Sequence, residues 1–117
     1  ITIKILLIYL THILWTASAP LGPAFFDIET TGFSGDTSQL YLIGCTYHDG
    51  FGWKLIQWFA DSRESERELL TAFFTFMERF KILVHFNGDG FDIPYLLKCC
   101  RRLDLPYNFD RIKSVDI

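Results

Sequence analysis

The sequence predicts one α/β domain, built on a mixed β-sheet with helices packed against it. Three observations lead to this prediction. A short apolar run ends in the acids of "FFDIETTG", two β-rich runs flank the dipeptide Asp49-Gly50, and the strand-like "KILVHF" separates two segments of helical periodicity. The predicted order is strand, β-hairpin, helix, strand, helix. A helical crossover from an antiparallel unit to a further strand produces a mixed sheet, and 117 residues suffice for one such domain.

The composition limits the classes of protein that this chain can belong to. Half of the residues are hydrophobic and 17% are aromatic, which excludes a disordered chain. The net charge of -3 gives no global basic signature, so a nucleic-acid partner would need a local basic patch or metal ions. The three cysteines, Cys45, Cys99 and Cys100, are odd in number and lack C-x-x-C spacing. They predict reduced thiols and a cytoplasmic protein.

An apolar N-terminal segment, residues 1–23, precedes the predicted domain at residues 24–117. Lys4, an apolar run and the small residues of "ASA" resemble the three regions of a signal peptide. However, Pro20 would follow the cleavage point, and His12 interrupts a run that is shorter than the ~20 apolar residues of a membrane span. We therefore expect a strand or helix that covers the domain, with a targeting segment as the alternative, and no membrane partner.

The strands are predicted from apolar runs bounded by turn residues. Residues 24–28 form a short buried strand between "PLGP" and "TTGFSGD". Residues 40–48 and 51–59 form a hairpin, because Asp49-Gly50 tolerates the positive φ angles of a two-residue type I′ turn.

Helical periodicity begins after the hairpin, within residues 61–80. Asp61 and Glu64 have the spacing of a capping box. One apolar stripe recurs at helical spacing and comprises Leu69, Phe73, Phe76 and Phe80. A second helix starts in "FDIPYLLKCCRRL", where Pro94 is close to the first turn, and the "DLPYNFDR" that follows is predicted to be loop.

Asp27 and Glu29 are the first candidate functional residues. Residues i and i+2 of a strand point to the same face, so the two carboxylates lie side by side and repel each other unless a cation neutralises them. Their hard oxygen atoms suit Mg²⁺ or Mn²⁺. The alternative is that both acids are simply solvated at the end of a strand.

Asp92 is the third candidate, because it follows the "KILVHF" strand and its loop at the start of a helix. A helix N-cap, which accepts a hydrogen bond from a first-turn amide, is the alternative role for this side chain.

"FFDIETTG" together with "VHFNGDGFDIPYL" resembles the first two motifs of the DEDD-type 3′–5′ exonucleases of the ribonuclease H-like superfamily. The five-residue step from Asn87 to Asp92 is similar to the exonuclease domains of family B DNA polymerases. A bacterial group of stand-alone predicted exonucleases is also similar, and more so, because the hairpin and the "WFADSRESERELL" region resemble it too. The resemblance covers roughly residues 24–117 and implies a ribonuclease H-like mixed sheet with flanking helices.

This resemblance implies roles for individual residues. Asp27, Glu29 and Asp92 would be catalytic metal ligands for two Mg²⁺ or Mn²⁺ ions that hydrolyse a phosphodiester of DNA or RNA. Asn87 would support its loop or contact the substrate. The residues after the first motif, Thr30, Thr31 and Gly32, would lie beside the terminal nucleotide, or would simply form a turn.

The fourth acid of this family lies in a Tyr- or His-x-x-x-Asp motif, and nothing in this sequence fits it. Ile112 stands four residues before Asp116, and Tyr107 stands only three before Asp110. We therefore expect a domain truncated before its last strand and helix, completed by a missing C-terminal segment or a partner chain. The chain alone is expected to be weak or inactive as a nuclease, and the alternative function is a catalytically weak or inactive ribonuclease H-like remnant with a nucleic-acid-binding or structural role.

Overall fold

The computed structural model describes residues 21–33, 37–86 and 90–117. Nearly all of the predicted N-terminal segment and the candidate Asn87 therefore lie outside the described residues. The described part contains five strands and two helices: β1 Ala24–Thr30, β2 Leu40–His48, β3 Trp53–Phe59, α1 Glu66–Met77, β4 Ile82–His85, α2 Asp92–Arg102 and β5 Lys113–Asp116. Neither helix of this described part is long and apolar enough to cross a membrane.

The strands form one mixed sheet in the order β3-β2-β1-β4-β5. β2 pairs antiparallel with β1 and β3, whereas β4 pairs parallel with β1 and β5. The predicted mixed sheet is confirmed. The loop predicted at residues 104–111 is confirmed, but the strand β5 at residues 113–116 was not predicted. Its four residues are mostly exposed and pair with a distant strand, so local periodicity does not reveal them.

The β2–β3 hairpin is confirmed, but its predicted two-residue turn is wrong. His48 pairs with Trp53, so the loop has four residues. The Asp49 carboxylate Oδ1 accepts hydrogen bonds from the Phe51 and Gly52 amides at 2.8 and 3.0 Å. Of the described non-glycine residues only Asp104 has a positive φ, so Asp49 does not adopt the type I′ conformation. The aspartate stabilises this loop through its side chain instead.

Helix α1 begins later than predicted, at Glu66, with Ser65 as its N-cap residue and no side-chain cap. The predicted capping box of Asp61 and Glu64 is therefore wrong. Asp61 instead accepts a hydrogen bond from the Ser65 hydroxyl at 3.0 Å, in the bends and turns before the helix. The predicted apolar stripe does face the core, since Leu69 and Phe73 are buried and Phe76 packs against them.

The main core lies between the sheet and the helices. On β1, Phe26 and Ile28 belong to this core, together with residues from both helices. The intervening Phe25 belongs to a separate small cluster with Val84 of β4 and the half-buried Val115 of β5. β1 therefore presents two different faces, one to the helices and one away from them.

The three cysteines are buried core residues and are not in disulfides. Burial raises the pKa of both Cys45 and Cys100 to about 12, so these side chains are neutral thiols. Cys99 is also fully buried, and burial raises its pKa as well. All three therefore act as small hydrophobic residues in the core.

Two polar contacts attach α2 to the rest of the fold. Near its start, the Tyr95 hydroxyl hydrogen-bonds the Ser38 hydroxyl at 2.6 Å, which connects α2 to the segment before β2. At its end, the Arg102 guanidinium donates to Glu66 Oε2 at 2.8 Å, across to the first residue of α1. Glu66 is fully buried, so this ion pair is partly enclosed in the core.

Candidate acidic site at the sheet edge

Asp27 and Glu29 lie in the carboxyl-terminal half of β1 and alternate with the core residues Phe26 and Ile28. Both carboxylates therefore lie on the face away from the main core, and both are half-buried. Asp27 pairs with Gly44 of β2, which has no side chain to crowd the carboxylate. The strand thus presents two adjacent acids, as the sequence predicted.

Asp27 and Glu29 lie where β4 has already ended, so no β4 residue is beside them. β4 pairs with β1 at Ala24 and Phe25, and its last residue is His85. Asp27 and Glu29 therefore lie beyond the carboxyl end of β4. In a sheet with helices packed against it, loops at strand ends carry functional groups more often than the strands do.

Asp92 is the first residue of α2 and is only 7% exposed. Burial raises the pKa of its carboxyl group to about 7, and the negative charges of Asp27, Asp116 and Glu29 raise it further, while a hydrogen bond from the Ile28 amide opposes the shift. The N-cap residue of α2 is Phe91, and no side chain caps the helix. Asp92 therefore does not have the alternative N-cap role, and it lies within electrostatic range of the β1 acids.

Asp116 is a further carboxylate of this edge, and the sequence did not predict it as a site residue. β5 pairs with β4 so that Asp116 lies opposite His85, and Asp116 Oδ1 is 3.6 Å from His85 Nδ1. The other ring nitrogen of His85 hydrogen-bonds the Ser114 hydroxyl. The ring of His85 is fully buried and lies edge-on to Phe26, with 5.7 Å between centroids. The only signal in the sequence was an acid directly after a valine in "SVDI", which does not identify a partner strand.

Thr30, the last residue of β1, and Thr31, which follows it, have structural roles at the start of the next loop. The Thr30 hydroxyl donates to the Gly32 carbonyl at 2.6 Å. The Thr31 amide donates to the Gln39 carbonyl at 2.9 Å, and the Thr31 hydroxyl accepts from the Gln39 amide at 2.8 Å. These bonds support the turn alternative, and the place of both residues beside the terminal nucleotide stays a prediction.

Gly32 is the position of this loop at which a side chain would not fit easily. A Cβ built on it would lie 3.1 Å from the Ser38 Cβ, which is tighter than ordinary packing, so Ser38 would have to shift by a few tenths of an ångström. Ser38 also holds Tyr95, one turn after Asp92 on α2. Gly32 therefore allows the loop to approach the helix that carries the third acid, and its contact with substrate stays a prediction.

The donor chemistry of this edge fits a divalent metal ion. Asp27, Glu29 and Asp92 supply the hard carboxylate oxygens that Mg²⁺ and Mn²⁺ prefer, and their mutual repulsion is what a bound cation would relieve. Within residues 21–33, 37–86 and 90–117, however, no three acidic, histidine or cysteine side chains are arranged as a ligand set. The metal site therefore stays a prediction.

The protein is therefore an α/β domain with a group of carboxylates at one edge of its sheet. Residues 24–117 match the family model of the RNase_H superfamily, and the chain belongs to this superfamily. The resemblance inferred from the two motifs is thereby confirmed at the level of the superfamily and over the same residues.

Its relatives include archaeal DNA polymerases. A DNA polymerase of Pyrococcus glycovorans is 32% identical over 89 residues, which are 68% of this chain and 12% of that protein. A DNA polymerase of Thermococcus kodakarensis is 30% identical over 95 residues, or 74% of this chain and 6% of the relative. The chain therefore spans only a small part of the polymerases that it matches.

Solved structures agree with the family. The family B DNA polymerase of Pyrobaculum calidifontis matches 83% of this chain and 13% of its own, with a TM-score of 0.68 and 26% identity. An apo structure of exonuclease I matches 85% of this chain and 29% of its own, with a TM-score of 0.65 and 12% identity, and this likeness concerns the fold. The predicted ribonuclease H-like sheet with flanking helices is confirmed, as is the similarity to family B polymerases.

Proposed function

We propose that this domain is a metal-dependent nuclease, and specifically a 3′–5′ exonuclease that hydrolyses phosphodiester bonds of DNA or RNA. The observation that carries the proposal is the placement of three acids from two distant segments: Asp27 and Glu29 lie beyond the carboxyl end of β4, and the buried Asp92 lies close enough for their charges to help raise its pKa. The superfamily to which the chain belongs includes nucleases. A folded protein without a ligand gains nothing from such repulsion, because each buried negative charge raises the free energy of the others.

The proposed ligands are Asp27, Glu29 and Asp92, with Mg²⁺ or Mn²⁺ as the cofactor. When bound, the two ions would supply a nucleophilic water and neutralise charge on the leaving oxygen. The protein residues would hold the ions at the end of β1, on a rigid strand, while α2 supplies the third carboxylate from across the edge. The backbone at Gly32, with Asn87 and the Thr30–Thr31 turn, would flank the terminal nucleotide.

Metal binding can be tested separately from hydrolysis by thermal unfolding of the full chain with added Mg²⁺ or Mn²⁺. A ligand of the folded state at about 100 times its Kd adds about 2.7 kcal/mol, which raises the Tm of a domain of this size by roughly 10 °C. The Tm increase should be lost in Asp27→Asn and Asp92→Asn. The matched control is Asp110→Asn, an exposed acid in the loop after α2, which should keep the full increase.

Hydrolysis is tested with the same three variants and end-labelled single-stranded DNA and RNA. Release of mononucleotides from the 3′ end in Mn²⁺, lost in Asp27→Asn and kept in Asp110→Asn, is the expected result. If neither metal at millimolar concentration raises the Tm and no mononucleotide is released, the proposal is wrong. A Tm increase without release would leave a metal-binding domain that is not a nuclease under these conditions.

A further inference from the structure

A second candidate site lies away from the acidic edge. A cavity of about 620 Å³ opens between the end of α1 and the loop after α2. Lys81, at the amino end of β4, lines it, and its carbonyl accepts a hydrogen bond from the Lys113 amide at 2.9 Å, at the amino end of β5. The acids lie at the opposite ends of these strands. The four residues of β4 separate the two places by about 10 Å along the strand.

The floor of this cavity is aromatic. Phe74 of α1 stacks on Tyr107 with 5.0 Å between ring centroids and 11° between ring planes, and it contacts Phe109 at 5.1 Å. Phe74 is nearly buried, whereas Tyr107 and Phe109 are half-buried and keep part of their surface open to the cavity that they line. A rigid, partly exposed aromatic surface of this kind binds flat rings by stacking.

The rim of the cavity is polar and carries a net positive charge. Lys81 and Arg111 are exposed cations on the rim, and Glu78 is the acid among the lining residues. Neither cation forms an ion pair with another residue of the described part. Asn108 adds a side-chain amide, whose oxygen accepts a hydrogen bond from the Asp110 amide at 3.0 Å. An arginine and a lysine beside an open cavity are typical phosphate ligands.

We infer that this cavity binds a phosphorylated nucleoside, with its base against Tyr107 and Phe109 and its phosphate between Lys81 and Arg111. The volume is within the usual range for small-molecule pockets, and the aromatic floor and cationic rim supply the two contacts that a nucleotide needs, a stacking surface and a phosphate partner. The ligand is either a free nucleotide or one residue of a single-stranded nucleic acid. The site does not depend on the proposed hydrolysis, because none of its residues is among the acids of the edge.

The test measures binding of two probes to the full chain, adenosine 5′-monophosphate by calorimetry and a labelled oligothymidylate by fluorescence anisotropy. Both are measured in EDTA, so that binding does not depend on metal at the acidic edge. Lys81→Ala and Arg111→Ala are each expected to raise the Kd about tenfold, the usual loss for a charge-assisted hydrogen bond. The matched control is Lys54→Ala, which removes an exposed lysine from the far edge strand β3 and should leave the Kd unchanged.

Two further measurements identify the source of the nucleotide and the role of the ring. If the ligand is a single-stranded nucleic acid, the oligothymidylate binds more tightly than the monophosphate. Each variant that loses a phosphate contact then also lowers the slope of log Kd against log salt concentration by about 0.7. If the ligand is a free nucleotide, the monophosphate binds at least as well as the strand. Tyr107→Leu keeps an apolar side chain but removes the ring, so it should weaken both probes about tenfold.

The inference is overturned by any of three results. Neither probe binds at millimolar concentration, the two rim variants bind both probes as wild type does, or Lys54→Ala weakens binding as much as they do. Thermal unfolding of each variant confirms that it is folded under the conditions of the assay. A variant that unfolds is replaced by Lys81→Gln or Arg111→Gln, which keep much of the side-chain length, and the same outcomes apply.

Discussion

The two ends of α2 carry charge in opposite ways. At its start, Asp92 is buried beside three other acids, and their charges add to the burial that raises its pKa to about 7. At its end, Arg102 donates to the fully buried Glu66 at 2.8 Å and connects the two helices. A carboxylate is thus buried at each end of α2, but only Glu66, at the carboxyl end of the helix, is compensated by an arginine.

Because of this difference, we assign a structural role to the charge of Glu66 and a functional role to that of Asp92. The ion pair of Glu66 and Arg102 is satisfied by the protein itself, so it stabilises the packing of α1 on α2 once both partners are present. The charge of Asp92 lowers the stability of the folded protein under neutral conditions, because the folded state must hold it beside other acids in a poorly solvated place. Retaining such a group is typical of ligand sites, where stability and function compete.

The largest effect is expected from Arg102→Met, which leaves Glu66 buried without its guanidinium. Removal of one partner of a buried pair exposes the full desolvation cost of the other, so we expect the free energy of unfolding to fall by about 3 kcal/mol. Glu66 Oε1 has no hydrogen-bond partner in the described part, so little else compensates the carboxylate. Urea unfolding of wild type and variant measures the change.

The control for this variant is the double substitution Arg102→Met with Glu66→Leu, which removes both charges. Replacement of a whole buried pair by apolar residues is often neutral, so the double variant should recover most of the lost stability. If the single and double variants were equally destabilised, the loss would come from packing of the arginine side chain, and this end of α2 would not depend on charge compensation.

The next largest effect, with the opposite sign, is expected from Asp92→Asn in the absence of metal. The pKa of Asp92 lies near 7 in the folded protein and near 3.8 in the unfolded chain, so the folded state holds the proton more tightly. The contribution of this group to the free energy of unfolding is therefore most favourable below about pH 4. It falls as the pH rises towards 7 and stays low above pH 7. The asparagine is uncharged at every pH, so at pH 8 the variant should be more stable than wild type.

A pH series of thermal unfolding in EDTA tests this sign. The difference in Tm between Asp92→Asn and wild type should be small near pH 4 and should grow between pH 4 and pH 7. Asp110→Asn, at an exposed position, should show no such growth. A loss of stability in Asp92→Asn across the whole series would mean that the carboxylate makes contacts that outweigh its repulsion, and the contrast between the two helix ends would fail.

Most of the local structure was predictable because it depends on short-range patterns. The strand that ends in Asp27 and Glu29, the hairpin strands and both helices follow from periodicity and turn residues, and all are present. The predicted adjacency of Asp27 and Glu29 follows from the alternation of a strand alone. That Asp92 lies near them is a long-range feature, and only the resemblance to a known family suggested it.

Features that depend on contacts between distant segments could not be predicted. The strand β5 and the pairing of His85 with Asp116 require the register of two parallel strands, which no local pattern specifies. In the sequence, Glu66 resembles an exposed acid in the first turn of a helix. Its burial depends on Arg102, 36 residues later. The four-residue hairpin loop was missed because the Asp49 side chain replaces the backbone geometry that a type I′ turn would need.

The smallest effect is expected just beyond the stable end of α2, from Asp104→Gly. Asp104 has a φ of 55°, its amide donates to the Arg101 carbonyl at 3.2 Å, and the Leu105 amide donates to the Cys100 carbonyl at 2.8 Å. This is a Schellman closure with aspartate where glycine is usual, and the left-handed conformation is costly for a residue with a Cβ. Glycine should therefore raise stability by about 0.5–1 kcal/mol, or the Tm by roughly 2–4 °C. Asp104→Ala removes the same charge but keeps the Cβ, so it should not stabilise. Equal gains in both variants would assign the effect to charge, and this end of α2 would then also carry an unfavourable acid, as its start does.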